Sequence, residues 1–371
     1  MAAPTGRVAA FFGPGKAMEI REYPVPDPEP GALVLRTTLA NVCGSDLHQW
    51  RGEFDVEKFG RPYPQILGHE MTGHVFRIGA GLTRDSAGEA LKEGDRVVFR
   101  YFYPCGTCRA CLRRITRACP NARAYLKKSC EHPPHFYGAF GDYYYVRPHA
   151  ALFRVPDALT DEMVAGVNCA LAQVVGGLSL AGLRLGESVV VQGAGGLGVY
   201  ACAVAKEMGA GLVIAIDGIP ERLALAQAFG ADVLLDLREV RTPEERIRKV
   251  QELTDGWGAD VVAELVGHPP RVCSEGLRML GRTGRYLEIG NINPGLTFDL
   301  DPSLLIFGNT TVYGMVYYEA EHLSEALRLI ARTRTKYPWA NVLSHKFPLA
   351  QINEAFQMAD QGKVTRAAIT F

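Results

Sequence analysis

Residues Ser188–Asp217 read SVVVQGAGGLGVYACAVAKEMGAGLVIAID, and their order decides the fold. A short β-branched apolar run leads into a glycine turn, an alanine-rich helical segment and a second apolar run that ends on an acid. Gly193, Gly195 and Gly198 stand in G-x-G-x-x-G register, with Gly196 and Leu197 inside the turn. In such a turn the first glycine permits the reversal from strand to helix. The second lets backbone approach a pyrophosphate, and the third lets helix pack on strand. Free N–H groups at the helix start then face the anion. Asp217 follows Gly198 by nineteen residues, a spacing that suits a carboxylate accepting from ribose hydroxyls. A glycine turn in an ordinary strand–helix unit is the competing reading. The apolar strand before it and the helix after it favour the dinucleotide.

Outward from this unit, apolar strands and helices alternate after Asp161. Strand candidates are Val189–Gln192, Val213–Ile216, Val233–Leu235, Val261–Leu265 and Arg285–Ile289. That alternation predicts an α/β fold with a parallel, doubly wound sheet. The first half is different: Ala32–Thr37, short runs between Val75 and Val98, and Tyr143–Val146 read as antiparallel strands bounded by glycine and proline. From about Met315 the chain returns to irregular strands, with helices expected at Leu323–Arg332 and Ile352–Gln361. One domain inserted into another is the natural reading.

Composition narrows the function. The 371 residues suggest two domains, and 47% hydrophobic with 22% charged residues is ordinary for globular proteins. Lys+Arg and Asp+Glu are 40 each, so no global field recruits nucleic acid or an anionic membrane. No apolar run suggests a membrane span, and MAAPTGRVAAFFGPGKAMEI does not read as a signal peptide. Nine cysteines in such a chain point to reduced thiols and metal sites, and to the cytoplasm.

Cys105, Cys108, Cys111 and Cys119 form C-x2-C-x2-C-x7-C. Two-residue spacers let successive thiolates face one tetrahedral centre, and four thiolates with no open position describe a structural zinc. An iron–sulfur cluster is the competing occupant. Cys130 with His132 and His135 around a Pro-Pro turn reads as loop rather than as a further metal site. Cys43 in NVCGSDLH and His69-Glu70 in ILGHEMTG are each modest signals alone.

Taken together, Cys43-Gly44-Ser45-Asp46-x-His48, Gly68-His69-Glu70, the four-cysteine lobe, Cys169 and the glycine turn occur in a telling order. The chain resembles, over essentially its whole length, the zinc-dependent medium-chain alcohol and polyol dehydrogenases. The resemblance implies a GroES-like β-rich catalytic domain over 1–173 and 316–371, with the structural lobe at 104–120, and a Rossmann domain over 174–315. It implies two zinc ions per chain, the catalytic one bound by Cys43, His69 and Cys169. In related polyol enzymes the third ligand can be a glutamate, and Cys169 alone also reads as a small core residue. Glu70 would stand behind the ligands or enter as an alternative one, and Asp46 would orient the His69 ring. Ser45 and His48 would relay the hydroxyl proton to solvent; a turn hydroxyl and a surface imidazole are their bland readings.

The same resemblance places the cofactor on Gly193, Gly195, Gly196, Leu197 and Gly198, with Asp217 favouring NAD over NADP and Arg222 beside the adenosine ribose. Ile289-Gly290-Asn291 and Gly314-Met315-Val316 would line the nicotinamide, and Arg366 would meet the pyrophosphate. Trp50, Tyr101, Asn168 and Gln173 are the substrate-pocket candidates. Two positions depart from the family pattern. Gly44 stands where relatives often carry Arg or His, and Gln173 where they usually carry Thr. The implied reaction is hydride transfer between NAD and a secondary or polyol-like alcohol by a homodimer or homotetramer. A carbonyl reductase of the same family and a non-catalytic nucleotide-binding sensor are the alternatives.

Overall fold

The computed structural model describes residues 4–54 and 56–371; the first three residues of the segment read for a leader lie outside the described residues. Two compact units result. One comprises Met1–Ala172, Glu319–Arg334 and Trp339–Phe371, the other Gln173–Tyr318 and Thr335–Pro338.

The first unit is built on strands β1 (Thr5–Phe11), β2 (Glu19–Pro24), β3 (Leu33–Asn41), β4 (Gln65–Ile66), β5 (Glu70–Ile78), β6 (Arg96–Phe99), β7 (Tyr143–Val146) and β8 (Leu152–Arg154). β3 is its axis, pairing antiparallel with both β5 and β7. Its residues Leu33, Val34 and Leu35 are fully buried, as a β-branched and leucine-rich run in a central strand should be. The register Asn41↔Glu70 closes the β3–β5 pair. It therefore sets the loop after β3 beside the loop before β5, the two loops that carry Cys43 and His69.

The second unit carries β9 (Ser188–Gln192), β10 (Leu212–Asp217), β11 (Val233–Asp236), β12 (Ala259–Glu264), β13 (Leu280–Glu288) and β14 (Thr311–Gly314). They form one parallel sheet in the order β11-β10-β9-β12-β13-β14. Strand order reverses between β9 and β12, and such a switch point opens the ligand crevice of a doubly wound sheet. Gly193 adopts φ +87°, and a Cβ on Gly198 would lie 1.9 Å from the Gly193 carbonyl. Both positions are closed to any other residue, the first by backbone conformation and the second by space. Val190, Ile214, Val262, Leu277 and Tyr286 build the core on one face.

Three details depart from the sequence-based expectation. The pattern marks no strand at β14, whose residues are mostly exposed. Residues 316–318 and 335–338 belong to the second unit, where Tyr337 stacks on Phe229 and, with Lys336, binds the Glu207 carboxylate. One helical run, Asp161–Leu180, is long and apolar enough to cross a bilayer, with mean hydropathy 1.6, but 78% of that window is buried in the protein. Small residues and valines in its sequence serve packing. β15 (His345–Pro348) and β16 (Ala367–Thr370) complete the first unit, β16 lying antiparallel on β3.

Candidate active site

A chain leaving β3 turns at Cys43 into the helix Gly44–Arg51. Asp46 sits in the first turn of that helix, 1% exposed, and its carboxylate joins the two loops. Oδ2 accepts from the Cys43 N–H at 2.9 Å, Oδ1 accepts from the Gly68 N–H at 3.2 Å, and His69 Nδ1 lies 3.5 Å from Oδ1. The ring is thereby aimed with Nε2 outward, 3.2 Å from Cys169 Sγ. Asn168 fixes the same histidine from behind: its Nδ2 donates to the His69 carbonyl at 2.8 Å and its Oδ1 accepts from Met71 N–H at 3.3 Å. The amide expected in the substrate pocket is thus committed to backbone. Cys169 is delivered by a single π-helical stretch, Val167–Leu171, a local widening common at functional positions.

The ligand atoms of Cys43, His69, Glu70 and Cys169 all lie within 4.8 Å of one another. Glu70 is fully buried, bridged by Arg366 through Oε2, while its Oε1 has no hydrogen-bond partner. Arg366 is itself buried in this ion pair. An orphaned carboxylate oxygen beside two sulfurs and an imidazole is a donor set suited to a borderline-soft divalent ion such as zinc. Electrostatics agree. The hydrogen bond from Cys169 outweighs burial and holds the Cys43 thiol well below its usual range, while the same bond pushes Cys169 well above. Burial opposes charge on His69, yet Asp46 and Cys43 prevail and raise the ring to about 10. Burial, only partly offset by Arg366, lifts Glu70 to about 8. A cation entering the set would displace these protons, as metal binding does.

Around this centre, the Tyr101 ring packs at 4.5 Å from the His69 ring, and its hydroxyl lies 3.9 Å from Cys169 Sγ. Trp50 instead packs on Phe356, ring centroids 6.0 Å apart. Ser45 lies on the same helix as His48, one turn apart, and His48 Nδ1 is 2.5 Å from Glu53 Oε2. Glu53 escaped sequence reasoning; an acid just past the glycine that ends the helix was its only signal.

Four further thiols converge in the lobe. The Sγ atoms of Cys105, Cys108, Cys111 and Cys119 lie within 4.8 Å of one another, with Cys105–Cys119 at 3.6 Å and Cys108–Cys119 at 3.9 Å. Four sulfurs at about 2.3 Å from one ion are roughly 3.8 Å apart, so the spacing fits. Hydrogen bonds from the Thr107 backbone N–H and the Asn121 amide pull Cys105 down to about 5. None of the nine cysteines is in a disulfide. Glu319 accepts from Arg117 N–H at 3.1 Å and pairs with the Arg117 guanidinium at 3.2 Å, anchoring the lobe.

In the second unit a cavity of about 580 Å3 opens at the carboxyl ends of β9, β10 and β12, lined by Gln192, Gly193, Ile216, Leu237, Val266 and His268 among others. Gly195 caps the helix Gly196–Glu207, whose first turn carries Leu197 and Gly198. Asp217 is buried and joins the glycine turn to the loop after β10: Oδ2 accepts from Ala194 N–H at 2.8 Å and Oδ1 from Ile219 N–H at 2.9 Å. Arg222 follows on the helix Pro220–Ala228, half-buried. Ile289 and Gly290 leave β13, both N–H groups directed at the Glu264 carbonyl. Gln173 is buried, and its Nε2 donates to the Met315 carbonyl at 2.9 Å, tying the start of its helix to the end of β14.

Comparison with known proteins places both units. Residues 29–157 match the family of alcohol dehydrogenase GroES-like domains, and residues 196–332 match zinc-binding dehydrogenases. The chain is 33% identical to 5-exo-hydroxycamphor dehydrogenase of Pseudomonas putida, over 97% of this chain and 98% of that one. It is 31% identical to L-threonine 3-dehydrogenase of Pyrococcus horikoshii, over 94% of each. The crystal structure of an alcohol dehydrogenase from Thermotoga maritima superposes with a TM-score of 0.91 at 28% identity, covering 99% of this chain and 100% of that one.

Proposed function

Because the chain belongs to the zinc-type medium-chain alcohol dehydrogenase family, we propose that it is a two-zinc enzyme that oxidises a secondary or polyol-like alcohol with NAD. The observation that carries this reading is the meeting of Cys43, His69, Glu70 and Cys169 within 4.8 Å, clamped by Asp46. Cys43, His69 and Cys169 would hold the catalytic ion, and Cys105, Cys108, Cys111 and Cys119 the structural one. When bound, the catalytic zinc acidifies an alcohol hydroxyl and nicotinamide accepts the hydride.

This chain's residues do the rest. Asp46 keeps the His69 ring in the tautomer that leaves Nε2 free as a donor. Ser45 would take up the hydroxyl proton while releasing its own outward, and the His48–Glu53 pair would carry a proton on to solvent; the short His48–Glu53 contact supports that exit. Tyr101 supplies an apolar wall against His69. Glycines 193, 195 and 198 with Asp217 would seat the dinucleotide, the carboxylate repelling a 2′-phosphate, while Ile289, Gly290 and Met315 line the nicotinamide. Arg222 would flank the adenosine ribose. The Arg366–Glu70 pair keeps the carboxylate behind the ligands neutralised, and a pyrophosphate contact would compete for the same guanidinium. A cyclic secondary alcohol is favoured by the name of the camphor-alcohol relative and by the aromatic wall. Unpaired thiols suit a reducing compartment such as the cytoplasm.

The test is metal analysis of the purified protein, followed by NAD reduction with a panel of cyclic secondary alcohols, polyols and L-threonine. Two zinc ions per chain with turnover are expected. One zinc and no turnover with any alcohol or the corresponding ketones would sink the reading.

A further inference from the structure

A buried polar cluster at the carboxyl ends of β12 and β13 has no part in the reaction just described. Glu264 and Glu288, the last residues of these strands, are in register on neighbouring parallel strands, so their side chains leave the same face less than about 5 Å apart at the backbone. Glu264 is fully buried. Its Oε1 accepts from the N–H groups of Val266 at 2.6 Å and Gly267 at 2.9 Å, and its Oε2 from Asn291 Nδ2 at 3.1 Å. Glu288 Oε1 accepts from the Asn291 N–H at 3.0 Å and from the same Nδ2 at 3.3 Å, and Oε2 from the Cys273 thiol at 3.3 Å. One amide therefore bridges two carboxyl groups, and its own Oδ1 is buried without a partner. The space is closed: a Cβ on Gly290 would lie 2.4 Å from Glu264 Oε2.

The titratable groups that face the pair are acids, Cys273 from the helix Arg271–Met279 and Tyr286 from β13. Gln192 at the end of β9 adds a neutral amide, accepting from the Tyr286 hydroxyl at 3.4 Å. His268 and Arg271, farther along the connection after β12, line the cavity beside the glycine turn. An acid enclosed as Glu264 is, with a second carboxyl beside it, favours its protonated form. Burial and the neighbouring Glu288 push Glu264 up to about 8.

We propose that Glu264 keeps its proton beside Glu288 and that the two act as a positioning pair for the dinucleotide, holding the Val266–Gly267 connection against the glycine turn. The link is physical. A Cβ on Gly193 would lie 2.8 Å from Val266 Cγ2, so the residue that Glu264 grips by its N–H is seated directly on the turn and walls the cavity. Loss of the Glu264 proton sets two charges side by side, and repulsion from Glu288 shifts the Glu264 carboxylate and with it the Val266–Gly267 connection. The inference rests on the dinucleotide reading of that cavity.

The experiment measures NADH dissociation constants of the full-length protein by fluorescence from pH 6 to 10. It compares wild type with Glu288→Gln and Glu264→Gln, whose amides donate in place of the proton. Wild-type affinity is expected to weaken above pH 8 by up to about tenfold per pH unit, as linkage to one proton requires, while in both variants the affinity, whatever its value, is flat across that range. A thermal-unfolding series reads the pair without cofactor. A carboxyl raised in the folded state stabilises at low pH, so stability should fall as pH rises from about 4.5 to about 8, and the slope should shrink in either variant. Absence of NADH binding at pH 7 would overturn the dinucleotide reading and the positioning role with it. Binding with the same pH profile in wild type and both variants would overturn the pair alone.

Discussion

Asp217 binds backbone at the end of β10, and the cofactor discrimination proposed for it can be separated from that contact. Its oxygens each accept one backbone N–H, from Ala194 and Ile219, which fixes the glycine turn to the strand. Each oxygen keeps a second lone pair. Asp217→Ala removes clamp and charge together, so losses with NAD and NADP alike would be ambiguous. Asp217→Asn keeps one acceptor and discards the charge. For Asp217→Asn the ratio of NADP to NAD in kcat/KM is expected to rise at least about tenfold, equivalent to about 1.4 kcal/mol. Equal dissociation constants for NADPH and NADH in wild type, unchanged by the substitution, would remove Asp217 as the discriminating group. Gln173, read from sequence as a substrate-pocket amide, is buried and donates to the Met315 carbonyl.

At the scale of elements, the four-cysteine lobe is the clearest case of local structure that the proposed metal would supply. Between Cys105 and Cys119 lie only the one-turn helices Arg109–Leu112 and Thr116–Ala118, and Leu112 and Ile115 point to solvent. So little buried apolar area cannot offset the ordering entropy of fifteen residues, on the order of 1 kcal/mol each. Cys111→Ser is therefore expected to lose one zinc per chain and lower the unfolding temperature by several degrees, equivalent to about 2 kcal/mol or more. Limited proteolysis should then cut within 105–119 first; an unchanged zinc content and cleavage pattern would show that the thiols do not share an ion. Spacing made this lobe legible in the sequence, as backbone conformation and close approach made the glycine turn legible at Gly193 and Gly198. Continuous β-branched runs likewise announced β9 and β10. What stayed hidden depends on distant partners. β14 is four mostly exposed residues that acquire strand character only by pairing with β13. The Glu264–Glu288 pair exists through strand register, and Arg366 meets Glu70 across 296 positions. Asn168 looked like pocket lining because nothing local shows that its amide faces the backbone of β5.

For the whole molecule, the sheet edge of the second unit decides assembly. β14 ends the six-stranded sheet, so its outer ladder groups have no strand partner among the described residues. Around it Phe307 is 75% exposed, Ile306 71%, Val316 58% and Val312 48%. An exposed edge flanked by large apolar side chains invites pairing with another chain, and proteins that stay monomeric blunt such edges with charge, proline or a bulge. None of those devices stands in Thr311–Gly314, which reads TVYG. With a net charge of zero the chain has no self-repulsion to keep copies apart. A second copy placed by a two-fold axis would extend the sheet and bury the same patch on both sides. Sedimentation velocity is therefore expected to show a dimer or a tetramer built from it at micromolar concentration. Phe307→Glu, which buries a carboxylate in that interface, should raise the dimer dissociation constant at least about tenfold, or about 1.4 kcal/mol, with the circular dichroism spectrum preserved. A wild type that sediments as a monomer, or a variant that stays dimeric, would assign the edge no role in assembly.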